Sequence, residues 1–404
     1  MQQVFPRYRS PAFLKEHIFH TMAFYHPRCI DKRGGYFHFF LDDGTAYDAG
    51  HRHLVNSTRL IYNYAQAHLH FRAPTYLDAV RHGLAFLREA HLDPATGRYA
   101  WMLRVEDHPD GRREHVVEDA SQYAYGLGFV MLAYAHALKA GVAEARDWLA
   151  ETWQTLNSLF WDDTHGLYAD ELAEGGGWGS YRGQNANMHV FEALLGAFEA
   201  TGETPYLDRA EQIARRVTVD LADQTDGHIW EHYRADWTPD WSYHRDQPNE
   251  IFRPWGYQFG HQAEWAKLLL TLDRLRPASW LLPRAQALFD FTVAHGWDED
   301  ARGLFNRMAP DGSLCDDHKA FWVQSETATA AALLGHRTGL ETYWRWYDRL
   351  WSYCWDYFID HEHGAWYHTL TRDNRRLGEE KTPVGRLDYH TLGNCYEMLR
   401  VVAP

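Results

Sequence analysis

A short turn motif recurs six times along the chain and constrains the fold more than any other feature. It consists of an acidic residue, three variable residues, Gly, and then an aromatic or large apolar residue. The copies run from Asp31 to Gly35, Asp93 to Gly97, Asp162 to Gly166, Asp223 to Gly227, Glu299 to Gly303 and Asp360 to Gly364. Successive glycines lie 61 to 76 residues apart. Asp ahead of Gly favours a tight turn, and the aromatics after it favour entry into a strand. One such turn carries little information. Six at near-constant spacing define a repeat architecture.

Between the turns the apolar period becomes helical, as in Val190, Leu194, Leu195 and Phe198. Twelve helices are expected, over 10–26, 53–71, 75–91, 120–140, 143–160, 185–202, 204–221, 258–275, 278–295, 320–338, 341–359 and 388–401. Each repeat is then two helices and a small hairpin. An open solenoid would need polar caps at both ends, and the sequence offers none. Closure hides both terminal faces. The expected fold is all-α, an (α/α)6 barrel of twelve helices with short β-hairpins between repeats. It forms one domain over residues 1–404, although 404 residues alone would suggest two or three domains.

One helix of each pair has a solvated face rich in Arg, Glu and Asp, as in 75–91 and 143–160. The other set opens with unusual polar residues: Asn56 to Arg59, Asp119 to Tyr125, Asn185 to His189, His261 to Glu264, Trp322 to Glu326 and Asp388 to His390. Arg59, Tyr125, His189, His261, Glu326 and His390 follow the preceding motif glycine at offsets of 23 to 34 residues. In a ring, such offsets gather all six at one end of the axis. The long connections 104–118, 171–184, 235–257 and 367–387 are read as loops walling a pocket there, with Trp178, Trp241 and Trp255. A single helical His is usually a satisfied core residue. Core packing alone does not account for Arg, Glu and two His converging on one axis, because buried charge without a partner or task is costly.

The net charge of −15 argues against nucleic acid and anionic membranes as partners. No apolar run approaches the ~18 residues of a membrane span. The N-terminal MQQVFPRYRS has no signal-like apolar region and reads as mature. Cys29, Cys315, Cys354 and Cys395 lie far apart and read as reduced thiols of a cytoplasmic protein. Gly175-Gly-Gly177 is a flexible loop, since no Lys-Ser/Thr follows it. His51-Arg-His53 and His361-Glu-His363 are read as solvated loops rather than metal sites. His261 and Glu264 have helical metal spacing, but zinc needs three close protein ligands, and spacing supplies no third. No metal and no cofactor are expected, and the oligomeric state is left open.

Two histidines, Arg, Glu, Asn and Gln beside aromatic walls suit a neutral sugar. Aromatic faces pack its C–H faces, while amides and carboxylates fix its hydroxyls. Neutral His can take a proton near pH 7 and return it. Arg59 and the helix N-termini can stabilise oxyanion charge. The set suits proton abstraction beside a carbonyl, through an enediolate.

Four pieces carry a family resemblance: NxxMH with EALLGAFEATG (Asn185 to Gly202), GHxxEW (Gly260 to Trp265), WVQSE (Trp322 to Glu326) and the late His390. They are similar to the N-acylglucosamine 2-epimerase superfamily, in the family's order and over nearly the whole chain. The opening GGYFHFFLDDGT and HRHLVNSTR resemble its mannose isomerase branch, near the sulfoquinovose isomerases. The resemblance implies an (α/α)6 barrel and metal-free sugar isomerisation or 2-epimerisation. It assigns proton transfer to His261 and His390, and an active-site role to Arg59. It places Asn185, His189 and Tyr125 against substrate, with Trp322 and Gln324 from the WVQSE piece, and has Glu264 and Glu326 orient histidines or hold hydroxyls. Tyr123 is the alternative to Tyr125. Ala186 stands where the N-acyl-sugar branch has Pro, and His390-Thr-Leu-Gly stands where that branch has HxPR. The expected reaction is interconversion of D-mannose and D-fructose through a cis-enediolate. The alternatives are a 2-epimerase and an inverting glycoside hydrolase using Glu264 and Glu326.

Overall fold

A computed structural model describes residues 8–173, 176–247, 250 and 252–402. The first seven residues of the N-terminal segment and Gly175 of the glycine run lie outside these. Twelve α-helices are present among the described residues. They are α1 (Pro11–Tyr25), α2 (Leu54–Phe71), α3 (Pro74–Phe86), α4 (Ala124–Lys139), α5 (Ala145–Phe160) and α6 (Gln184–Thr201), followed by α7 (Thr204–Arg215), α8 (Phe259–Leu275), α9 (Leu281–Gly296), α10 (Phe321–Thr338), α11 (Glu341–Tyr357) and α12 (Tyr389–Val402). Each expected helix is found. α3 and α7 continue as wider π turns over Leu87–His91 and Arg216–Leu221.

The even-numbered helices pack in sequence: α2 on α4, then α6, α8, α10 and α12, and α12 returns to α2. That last contact closes the ring, so the fold is the (α/α)6 barrel. Odd-numbered helices form the outer layer, each against an inner partner, with α1 on α12. The two layers differ in burial as their positions require. In α5 only Ala145, Leu149, Thr152, Leu156 and Phe160 are buried, one stripe at helical spacing. In α8 every residue from Phe259 to Leu270 is buried, because both its faces are covered.

The motif turns are built as the repeat implies. Asp162 accepts hydrogen bonds from the Thr164 and His165 backbone N–H groups, and Gly166 takes φ +68°, which a side chain would resist. The fifth copy differs from the sequence reading. Asp298, not Glu299, accepts from the Asp300 and Ala301 N–H groups, and the extra residue is absorbed by Arg302 at φ +63°.

Amides from the inner helices fasten these turns to the barrel. Asn187 clasps Tyr168, accepting from its N–H at 2.8 Å and donating to its C=O at 2.9 Å. Gln262 does the same to Ile229 and Gln324 to Leu304. The clasp sets the turn's height against the helix start, and therefore the height of the site residues nearby.

Two connections differ from expectation. The segment 104–118 belongs to a β-hairpin, Met102–Asp107 paired with Arg113–Asp119, which adds to the strand His51–His53. That strand is not a solvated loop. Arg52 is buried and its guanidinium lies 2.8 Å from Asp31 of the first turn motif. His361 and His363 are exposed in their turn, as expected.

Candidate active site

An outer helix returns the chain between successive inner helices, so the six inner starts come to one end of the ring. A cleft of about 770 Å³ opens there. Arg59, Tyr125, Asn185 and His189 line it from α2, α4 and α6. His261 and Glu264 of α8, Trp322 of α10 and His390 of α12 complete the floor. Gln324 and Glu326, also nominated from sequence as substrate-binding, do not line it. Gln324 is spent on Leu304, and Glu326 sits behind His390.

We expect Gln324→Leu to lose about 1–3 kcal/mol of stability, because Leu304 keeps a buried N–H and C=O without partners. KM for sugar should stay unchanged. Denaturant unfolding beside steady-state kinetics checks both, and a KM effect without a stability loss would contradict the placement.

His390 Nδ1 lies 2.7 Å from Glu326 Oε1. Donation of Nδ1–H to that carboxylate leaves Nε2 bare. Burial lowers the His390 pKa, and Glu326 opposes the shift without cancelling it. The ring is therefore neutral near pH 7, in the form a base requires.

His261 is supported in the same way by a residue that the sequence reading missed. Its Nδ1 lies 3.0 and 2.9 Å from the two oxygens of Glu231. Gln184 braces the pair, donating Nε2–H to Glu231 Oε2 at 2.9 Å and accepting from Trp265 Nε1–H at 2.6 Å. Glu264, although three residues from His261, lies nearer His390, at 4.0 Å from its Nδ1. Trp322 stands between the two histidines, with its ring centre 5.1 Å from His261 and 5.7 Å from His390.

Arg59 lies between the rings of Phe129 and Tyr389, 4.5 and 4.9 Å from their centres. It donates to Gly385 O and, at 3.1 Å, to the Tyr125 hydroxyl. No carboxylate pairs with it among the described residues, so its charge is available to a developing oxyanion. His189 Nδ1 lies 3.2 Å from Glu192 Oε2, which also accepts from the Tyr389 hydroxyl. Burial lowers His189 to about 4 despite that partner. Neither Glu264 oxygen has a hydrogen-bond partner, and burial with Glu326 beside it raises its pKa well above the usual carboxylate range. Burial therefore favours the protonated form of Glu264, which has a proton to donate. Asn185 Oδ1 also lacks a partner and can accept from a hydroxyl.

The aromatic walls are not those expected. Trp178, Trp241 and Trp255 lie outside the lining; Trp178 donates to Leu159 O, and Trp255 to Trp241 O. Trp101, Tyr123, Tyr181, Tyr243 and Phe252 take their place. Glu264, Glu326 and His390 bring atoms within 4.8 Å of one another, close enough for a cation. The Lys267 ammonium, 2.7 Å from Glu326 Oε2, already supplies positive charge there.

Two carboxylate-backed histidines, a free arginine and a neutral acid around a sugar-sized floor define an enzyme of the sugar isomerase class. Residues 35–394 match N-acylglucosamine 2-epimerase (GlcNAc 2-epimerase), and the chain belongs to that family. The D-mannose isomerase of Marinomonas mediterranea is 46% identical, with 98% of this chain and 99% of that protein aligned. A crystal structure of a D-mannose isomerase superposes with TM-score 0.94 at 46% identity, over 98% of this chain and 99% of that one. The cellobiose 2-epimerase of Spirochaeta thermophila shares the fold, with TM-score 0.83 at 23% identity over 100% of this chain and 99% of that one. No helix among the described residues is long and apolar enough to cross a membrane.

Proposed function

We propose that the protein interconverts D-mannose and D-fructose, without a metal, through a cis-enediolate. The observation that carries this reading is the pair of histidines, each bound through Nδ1 to a carboxylate and each facing the one cleft. His261 assists ring opening and moves protons between O1 and O2. His390 Nε2 removes the C2 proton of the open aldose while Glu264 and Arg59 take up charge on the oxygens. The same nitrogen returns the proton to C1, and loss of the O2 proton completes the ketose. The 46% identical D-mannose isomerase supports the choice of sugar.

A second reading, 2-epimerisation, draws on the equal support given to His261: a second base could deliver a proton to C2 from the opposite face. The hydrolase reading loses its geometry. Glu264 and Glu326 have oxygens within 4.8 Å of each other, and the latter is behind His390. An inverting pair needs a separation of ~6.5–9.5 Å.

One experiment separates these. Mannose is converted in D₂O by EDTA-dialysed enzyme and followed by NMR from the first turnovers. Fructose should appear first, with sub-stoichiometric label at C1, because some protons transfer directly. Glucose labelled at C2 ahead of fructose would make the protein an epimerase. Inactivity reversed by added Zn²⁺ or Mn²⁺ would overturn the metal-free mechanism.

A further inference from the structure

Lys267 is a buried group that the proton chemistry above leaves without a task. It lies on α8 and is 5% exposed. Its ammonium is 2.7 Å from Glu326 Oε2 and 3.9 Å from Glu264 Oε1. Glu326 Oε1 is in turn 2.7 Å from His390 Nδ1, so Lys267, Glu326 and His390 form a row ending at the base. Lys267 does not line the cleft and is out of reach of the sugar. It lines a second, smaller cavity of about 60 Å³, with Glu326, His390, Glu192, Tyr62 and Asn394.

The charges around the row all bear on this. Facing Lys267 are Glu192 from α6, Glu326 from α10, Glu264 from its own helix and the Tyr62 hydroxyl from α2. Facing His390 are Glu326 from α10, Glu264 and Lys267 from α8, Arg59 from α2 and His189 from α6. Burial alone would raise the Glu326 carboxyl, yet it is held below its usual value, with Lys267 the foremost opposing group. Lys267 thus favours the pair's single negative charge on Glu326, while burial and that charge favour the protonated form of Glu264.

We propose that Lys267 is a positioning residue for the proton transfer: its ammonium holds Glu326 as a carboxylate, Glu326 keeps the proton of His390 on Nδ1, and Nε2 is left bare towards the sugar. The assignment rests on the reading of His390 as the base. The sign of its effect follows from charge. Removing a cation makes every neighbouring Glu and His hold protons more tightly. The active state, with His390 neutral, then survives only at higher pH.

The test compares K267M, K267Q and K267R in the pH profile of kcat for mannose. In K267M and K267Q the acid limb should move up by about 1 pH unit or more. K267R, which keeps the charge, should keep the wild-type limb. A uniform loss at every pH in K267M and K267Q, with the limb unmoved, would show that Lys267 only packs. So would a limb in K267R displaced as far as in the neutral variants. A second measurement needs neither neutral variant to fold. In ¹⁵N spectra of the substrate-free wild type near neutral pH, with the His390 signal assigned by its absence in H390N, the ring should be the Nδ1–H tautomer. An Nε2–H tautomer or an imidazolium would overturn the inference. The spectrum is read without sugar, so failure of mannose as substrate and failure of Lys267 as positioner give different results.

Discussion

His390→Asn is expected to lower kcat for mannose by roughly 10²–10⁴-fold, the usual contribution of a positioned proton-transfer group. Asn keeps much of the ring's volume and can still accept or donate near Glu326, so α12 should remain seated and melting should change little. KM should also change little, because sugar hydroxyls are held by other groups. The expected pattern is equal loss in kcat and kcat/KM. Activity of the wild type should fall with acid as His390 takes up a proton, from a pKa that burial sets below the usual histidine value. His363→Asn, in an exposed turn, is the control and should behave as wild type. Near-normal turnover in the His390 variant would remove it from the mechanism.

The second large effect concerns the other histidine. His261→Asn should cost a comparable ~10²–10⁴-fold. Glu231→Gln is the sharper probe, since Gln can still accept from Nδ1–H but no longer offers a negative charge to a protonated ring. Hydrogen bonds to charged groups exceed neutral ones by about 1–1.5 kcal/mol, so a loss of about five- to tenfold is expected, smaller than that of His261→Asn. Steady-state kinetics on the two variants checks the order. A Glu231→Gln enzyme as impaired as His261→Asn would mean that Glu231 itself touches the reacting atoms.

The helices were legible because each carries its own period and each turn its own acidic residue and glycine. Ring closure was legible because six repeats with no polar caps have no other way to cover both ends. The residues at the inner helix starts were legible from their polarity against an apolar background. Glu231 was not, because it lies between the fourth turn motif and α8 rather than at a helix start. The available signal was the run Trp230-Glu231-His232 beside a motif glycine. Lys267 was hidden by its type: a helical lysine ordinarily marks a solvated face. Its place three residues after Glu264, on a helix buried on nearly all sides, was the clue. The segment 104–118 reads as loop because its residues alternate among Arg, Glu and Val without an apolar face, whereas it belongs to the hairpin Met102–Asp119. Gln324 was misplaced for the opposite reason: polarity near the axis suits a substrate contact and a backbone clasp equally well.

The seam between α12 and α2 has a consequence for how the enzyme comes into being. Arg59 belongs to the first inner helix and His390 to the last, so the groups that meet across this seam are separated by most of the polypeptide. During synthesis they cannot be neighbours until almost all of the chain has left the ribosome. The apolar flanks of α2 must meanwhile wait for a partner not yet made. Folding is therefore tied to late, long-range contacts, which are slow to form. On the proposed mechanism, catalytic competence arrives with the final helix, and an interrupted chain that stops short of α12 is expected to be inert.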